Sequence, residues 1–403
     1  MTKKLFYQPD CIACEALVLA CKPAKEGGFD VLLDQTAIYP EGGGQPSDRG
    51  LIGEARVSHA REEQGEIWHR CDRPLSEGVK VAVRAEEALR RDHTQQHTGE
   101  HMLSGLAASR FGCANVGFHM AEDVVTIDLD KPLDQEQIDE LELAVNQAIQ
   151  KNEPTLCRMV TEEEYEGVDI RKKAKNLKGE IRIVYTGGVD SCTCCGTHCA
   201  TAGEVGLLKI LSHINYKGGV RITFVCGMRA VKSMMEDGRR MERIARRFST
   251  KSEQAVEAVV RQGEELAALR REIKLRTEAL LSARAAELAA KGEEHGGVKL
   301  VMALESGLDM PELSMLGEKV CSGEKTVAVL FSQKDNQLLY RVARGAGVAL
   351  SMKEICLAVN GLVGGKGGGR DDSAQGSAPV KPGLEETTRQ LAQYMKNRLR
   401  AGN

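Results

Sequence analysis

The sequence predicts an α+β protein built from successive regions: an all-β N-terminal region, a mixed α/β middle, a long helical segment and a C-terminal α/β region. Three observations carry this. Up to about residue 90, short apolar runs such as Val31-Leu32-Leu33 and Val79 to Val83 alternate with Gly and Pro turns. Between Met228 and Lys291 there is no proline, and Ala, Glu, Arg and Leu dominate. From Val298 onward, strand-like and helix-like runs alternate again. The 403 residues allow two or three domains at roughly 150 residues each.

In chain order, Leu51-Ile52-Gly53 and Val79 to Val83 read as strands of the first region. Helical spacing runs from about Ala85 to Phe111 and from Asp134 to Lys151, the latter with Leu141, Leu143, Val145 and Ile149. Val124 to Leu129, Ile181 to Tyr185, Val205 to Ile210 and Val220 to Val225 read as strands. In the long helical segment, Leu266, Ile273 and Leu280 sit seven apart with Leu269 between, but Gln262 and Arg276 interrupt the seam. A long helix and a helical hairpin both fit that pattern. Gly292 to Gly297 reads as a linker, Thr326 to Phe331 and Leu338 to Val342 as strands, and Gly361 to Gly376 as a glycine-rich loop.

Charge and composition narrow the class. The 55 basic against 58 acidic residues give a net charge of −3, which excludes a polycation but leaves room for a local basic face. No apolar run approaches the ~20 residues that cross a bilayer, and Met1-Thr2-Lys3-Lys4 leads into no apolar stretch. A cytoplasmic chain with no membrane contact is expected. Thirteen cysteines in a chain of this length do not describe a small disulfide scaffold. Four of them, Cys192, Cys194, Cys195 and Cys199, crowd together, which in a reducing compartment points to metal or thiol chemistry.

Two short segments offer metal-ligand spacing. His97-Thr98-Gly99-Glu100-His101 puts two imidazoles at i and i+4 on one helix face. The placement of Glu100 excludes the HExxH pattern of metalloproteases, and His93, four residues before His97, is a competing partner. Cys194-Cys195-Gly196-Thr197-His198 offers a thiolate and an imidazole, the donors zinc prefers. Which of the neighbouring cysteines binds stays open at this point. Cys11 and Cys14 have CxxC spacing but no second pair, and read as structural.

Three further segments are candidates for binding. Tyr39 to Gly50 contains Gly42-Gly43-Gly44-Gln45, where glycines permit close backbone approach and Gln45 brings an amide; alone it is a turn as readily as a site. Gly364 to Gly376 surrounds Lys366 and Arg370 with glycines, which suits a phosphate chain as well as a surface loop; no GK[ST] follows, so it is not a Walker loop. Arg239, Arg243 and Arg247 share a helix face that fits either solvent or an RNA backbone.

Together these segments resemble the editing domains of alanyl-tRNA synthetases and their free-standing relatives. His97 to Leu103 is similar to the HxxxH motif of that family. Cys194 to His198 with Gly203-Glu204-Val205-Gly206 resembles its C-G-G-T-H…T-G-E-I-G motif. Tyr39 to Gly50 resembles the glycine-rich motif of the adjoining barrel, and Gly364 to Gly376 that of the C-terminal DHHA1 domain. The order and spread match the long AlaX-type editing proteins, with departures at Ile38, Cys195 and Ala202.

The resemblance implies a barrel over 1–90, a zinc-dependent editing domain over 91–228, a helix or hairpin over 229–296 and a DHHA1-like domain over 297–403. It implies zinc held by His97, His101, Cys194 and His198, the His97 frame being favoured because Met102-Leu103 follows His101. His97, His101 and Gln45 would serve catalysis. Gly43, Gly44 and Gln45 would meet the amino acid, with Gln45 reading a serine hydroxyl, and Lys366 and Arg370 would meet tRNA. The implied activity is hydrolysis of the ester in Ser-tRNA(Ala), with Gly-tRNA(Ala) as a second substrate, in trans and without aminoacylation, since 35 residues precede the glycine-rich motif. A homodimer through the C-terminal region is a further expectation. Two other classes compete: an RNA-binding or assembly protein with a structural zinc, and a DHH-type phosphodiesterase, which Asp92-His93-Thr94 disfavours.

Overall fold

Six strands close a barrel at the start of the chain. Ala13–Pro23 pairs with Phe29–Leu33 and Lys80–Ala85, and Glu66–Cys71, Ala55–Glu63 and Gly50–Ile52 complete the ring, each pairing antiparallel. Alternation along the strands fills the interior with Val18, Val31, Leu33, Ile52, Val57, Ile67 and Val83. The computed structural model describes residues 1–8, 10–25, 27–174, 179–380 and 383–401. The chain divides into two compact units, Met1–Ile244 and Ala245–Asn403, so the barrel and the region after it belong to one unit.

Helix α1 (Glu87–Phe111) follows the barrel directly. Every residue from Gln95 to Ala107 is buried, polar ones included. A helix buried all round is a central element, and its polar groups need partners within the protein. Gln96 takes the backbone N–H and C=O of Cys226 at 2.7 and 3.0 Å, and Gln95 donates to the Glu204 carbonyl at 2.8 Å. Glu100 accepts from Ser104 and Asn115 at 2.6 and 2.7 Å. Gly99 and Gly105 let neighbours come close: a Cβ on Gly99 would lie 2.2 Å from Cys226 Sγ.

Beside α1 lies an antiparallel sheet in the order Leu208–Tyr216, Gly219–Cys226, Val125–Leu129, Asn115–Met120. Helix α2 (Gln135–Lys151) packs against it, started by a capping box between Asp134 and Gln137. Met102, Leu103, Ile127, Leu141, Val145 and Phe224 form their common core. A three-stranded sheet of Leu156–Val160, Ile181–Thr186 and Asp190–Thr193, with α3 (Glu162–Gly167) between its first two strands, runs on from its last strand into the cysteine-rich turn. The strand expected from Val205 starts only at Leu208, because Ala202–Val205 forms a 3₁₀ turn.

The expected long helix or hairpin is two helices, α4 (Gly227–Arg247) and α5 (Ala255–Ala290), with a break over 248–254 in which Ser249 has φ +51°. The expected boundary at 228 therefore falls within α4. In the second unit, six strands order as Glu293–His295, Val298–Ser306, Thr326–Lys334, Gln337–Arg344, Ser373–Pro379, Lys366–Gly369. Helices α6 (Met310–Val320), α7 (Met352–Val363) and α8 (Leu384–Ala401) accompany them. Two segments read as loops are corrected here. Gly292 to Gly297 is a tight hairpin in which Glu293–His295 pairs with Val298–Leu300. Gly364 to Gly376 contains an edge hairpin, Lys366–Gly369 against Ser373–Pro379. Among the described residues no helix is long and apolar enough to cross a membrane.

Candidate metal centre

His97 and His101 sit one turn apart near the middle of α1, their ring centroids 5.2 Å from each other. Cys194 follows the strand Asp190–Thr193, and the turn after it returns His198 to the same place. The His198 ring lies 4.8 Å from that of His97 and 4.4 Å from that of His101. Cys194 Sγ stands 3.3 Å from Nε2 of both His97 and His198. One donor atom from each of the four lies within 4.8 Å of the others, a group that could hold one metal ion. Gly196 is required: a Cβ there would lie 2.0 Å from His97 Cε1.

The competing ligands are sorted by position. His93 is buried with Nδ1 unpartnered and takes no part in either group that could hold a metal among the described residues. Cys195 is exposed, and Cys199 is buried, its backbone N–H donating to Thr98. Cys192 lies one strand pleat behind Cys194, 3.5 Å from His101 Nδ1, and with Asp190 and His101 forms the second, adjoining group. Cys11 and Cys14 are free and half-buried at the barrel, outside both groups.

Gln45 is fully buried and faces His97. Gly42 and Gln45 exchange backbone hydrogen bonds across a turn whose central residues, Gly43 and Gly44, both have positive φ. That turn carries the Gln45 amide out of the barrel. Its Oε1 accepts from His97 Nδ1 at 2.8 Å and from the Thr197 N–H at 3.0 Å, and its Nε2 donates to Thr197 Oγ1 at 2.9 Å. The glutamine thus directs the Nδ1 proton of His97 to itself and leaves Nε2 facing Cys194. Gly44 packs on Phe118, whose ring is 5.5 Å from His97, while Gly43 faces open space.

Asp190, absent from the sequence expectations, does for His101 what Gln45 does for His97. Its carboxylate lies 2.9 Å from His101 Nδ1 and is held by Arg171 at 2.5 and 3.1 Å. Burial would raise its carboxyl pKa; hydrogen bonds from His101 and Arg171 bring it down to about 2. The signal was legible: in a strand, Asp190, Cys192 and Cys194 share one face by their period of two. The electrostatics favour the thiolate but also keep a proton on His101: burial lowers its pKa, yet the neighbouring Cys194, Cys192 and Asp190 raise it well above its ordinary value, so ligation has to displace that proton. Burial alone pushes the Cys194 thiol up, but the surrounding His97, His101 and His198 pull it well below its ordinary value. Burial and the neighbouring His101 hold His198 down to about 3, so it is neutral at physiological pH.

The group is not sealed. His198 also forms part of the wall of a cleft of about 320 Å³ within the first unit, shared with Tyr7, Thr94 and Thr197. In the second unit, Lys366 and Arg370 are exposed on the edge hairpin, Arg370 lying 3.7 Å from Asp372. Arg239 and Arg243 are exposed on α4.

Residues 181–244, which include Cys194 and His198, match the threonyl and alanyl tRNA synthetase second additional domain, and residues 296–397 match the DHHA1 domain. The chain is 29% identical over 398 residues to alanyl-tRNA editing protein AlaX-L of Pyrococcus horikoshii, covering 95% of this chain and 96% of that protein. It is 32% identical over 269 residues to alanyl-tRNA editing protein Aarsd1-B of Xenopus laevis, covering 62% of this chain and 65% of that one. Alanine–tRNA ligase of Methanococcoides burtonii is 26% identical along 99% of this chain, which spans 45% of the ligase.

Proposed function

We propose, for a chain that belongs with the long-form AlaX-type alanyl-tRNA editing proteins, that it hydrolyses the ester of tRNA(Ala) mischarged with serine, and of the glycine ester as a second substrate, using zinc. It is an editing hydrolase that acts in trans. The observation that carries the finer reading is the buried His97, His101, Cys194 and His198 group beside a cleft.

The donor chemistry fits zinc. Tetrahedral bonds of ~2.0–2.3 Å put zinc ligands within about 4 Å of each other, comparable to the spread of these donors. A thiol held toward its ionised form and a neutral imidazole are the states that ligation needs. Zinc bound there would supply positive charge for anchoring the aminoacyl end or polarising the ester carbonyl. The chain's own contribution is placement. Gln45 and Asp190 fix two rings from behind, and His198 brings the group to the cleft wall. An aminoacyl ester is already reactive, so orientation supplies much of what the reaction requires.

The reading places the chain in the cytoplasm, where charged tRNA is used. It assigns Lys366 and Arg370 to the tRNA backbone and a second copy of the chain to the exposed Val259, Leu266, Ile273 and Leu280 of α5. The test is deacylation of Ser-, Gly- and Ala-tRNA(Ala) by the purified zinc-loaded chain. Serine ester should be cleaved and alanine ester spared; equal rates on all three, or none, would reject the proposal. For the tRNA backbone, Lys366→Ala with Arg370→Ala should weaken binding and reduce the salt slope by roughly 0.7–0.9 for each phosphate no longer neutralised. An unchanged slope would remove the hairpin from the tRNA path.

A further inference from the structure

We propose that Arg182 and Tyr7 are positioning residues for the metal centre: together they clamp the turn that carries Cys194 and His198, and so fix the direction from which both ligands are presented. The proposal rests on the zinc-dependent deacylase reading and assigns what sets the geometry of two of the four donors.

The turn does not hold itself. Gly196 gives it little backbone preference of its own, and among the described residues no backbone hydrogen bond closes it between Cys194 and His198. Carbonyls withdrawn from water need donors from elsewhere. Arg182 Nη1 donates to the Cys194 carbonyl at 2.9 Å and to the Gly196 carbonyl at 3.0 Å. The Tyr7 hydroxyl, from the 3₁₀ turn Leu5–Tyr7, donates to the Cys195 carbonyl between them at 3.0 Å. Three successive carbonyls are thus held from outside by two side chains.

The strands put Arg182 there. Arg182 and Val184 share one face of Ile181–Thr186, and Val184 packs with Cys192 and Cys194. The Arg182 carbonyl also accepts the Cys194 N–H at 3.3 Å, so the arginine grips Cys194 through backbone and side chain. Arg182 is only 9% exposed, and Cys157 Sγ takes its Nη2 at 3.2 Å. Among the described residues none of its donors meets a carboxylate. A buried guanidinium whose donors go to carbonyls is a scaffold for backbone, not half of an ion pair. It lies 4.4 Å over the Tyr7 ring, which joins the two members of the clamp. In the turn so held, the Gly196 N–H donates to Cys194 Sγ at 3.2 Å, so the turn's shape also decides which donor meets the ligand sulfur.

The experiment titrates cobalt(II), a spectroscopic stand-in for zinc, into the metal-free full chain without tRNA, so contact with substrate plays no part. Arg182→Met leaves two carbonyls without their donor. It should weaken cobalt binding about 10–100-fold, the range for a group that orients a ligand, and alter the thiolate-to-cobalt absorption band. Tyr7→Phe keeps the ring and removes one hydrogen bond, and should weaken binding roughly two- to tenfold. Arg182→Lys keeps a cationic donor and should fall between the wild type and Arg182→Met. Residues acting as one clamp are coupled, so Tyr7→Phe should cost less in the Arg182→Met chain than in the wild type. A merely stabilising arginine would lower the melting temperature and leave cobalt affinity and spectrum unchanged. That result, or strictly additive effects of the two substitutions, would overturn the proposal. Should Arg182→Met fail to fold, wild-type affinity and spectrum in both Tyr7→Phe and Arg182→Lys would overturn it equally. Deacylation of Ser-tRNA(Ala) by the zinc-loaded wild type separates the two readings. If it leaves every ester intact while the variants change the cobalt site, the clamp stands and the deacylase reading falls. If it cleaves the serine ester while every variant binds cobalt as the wild type does, only the clamp is lost.

Discussion

Replacing Cys194 by Ala should remove the metal and with it the deacylation of Ser-tRNA(Ala). Cys194 is the only thiol in the four-donor group, 3.3 Å from Nε2 of both His97 and His198. The three imidazoles that draw its thiol below the ordinary value lose their anionic partner when it is truncated. Removing an outer partner of a metal ligand costs about 10–100-fold in metal affinity or activity, so removing the ligand itself should exceed about 100-fold. Zinc per chain, measured by elemental analysis after gel filtration, should fall from one to near zero. Cys192→Ala is the control. It removes a thiol 3.5 Å from His101 Nδ1 but outside the four-donor group, and should retain one zinc. Full zinc in the Cys194→Ala chain, or loss of zinc only in the Cys192→Ala chain, would move the ligand to the neighbouring thiol. Because Cys194, Cys192 and Asp190 hold a proton on His101 that zinc has to displace, zinc uptake by the wild type should release protons and weaken as pH falls.

Gln45→Ala should weaken zinc binding by about 10–100-fold, the range for an outer partner that orients a ligating histidine. Without the amide, the His97 Nδ1 proton has no fixed acceptor, the Thr197 N–H loses its acceptor, and the Thr197 hydroxyl keeps only Thr94 Oγ1 at 2.8 Å. Gln45→Glu keeps the acceptor for His97 and Thr197 N–H while removing the donor to Thr197, so it should retain more zinc than Gln45→Ala. Nitrogen NMR of labelled histidine should show a single Nδ1–H tautomer for His97 in the wild type and a mixture in Gln45→Ala. A merely structural role would leave that tautomer signal alone. If Gln45→Ala held zinc normally and changed only the choice between serine and alanine esters, the glutamine would be a substrate reader after all.

The donor group was legible because its information is local. Two residues four apart on a helix share a face whatever the rest of the chain does, which is why His97 and His101 stood out. Cys194 and His198 were equally readable as a pair, although the neighbouring cysteines made the choice ambiguous. The structure places Cys194 with His97, His101 and His198 in one four-donor group, whereas Cys192, on the same face of the strand, groups with His101 and Asp190. The glycine-rich tail shows the opposite case. Its composition suggested a loop, but Lys366–Gly369 gains its hydrogen bonds from Ser373–Pro379, a strand placed by the rest of the sheet.

What the sequence determined by itself was the set of regions, the helices whose apolar spacing is regular, and two i, i+4 donor pairs that brought His97, His101, Cys194 and His198 forward as candidates. The tertiary structure alone decided how those donors are held. Gln45 lies 52 residues before His97 and 152 before Thr197, and no periodicity links positions that far apart. Closure of the barrel fixes where the Gly42–Gln45 turn emerges, and that position makes a buried amide into a partner for an imidazole. The physical reason is the range of the forces involved. Backbone sterics and hydrophobic periodicity act over a few residues and leave a pattern in the chain, whereas a buried polar group is satisfied by whichever partner packing brings within about 3 Å.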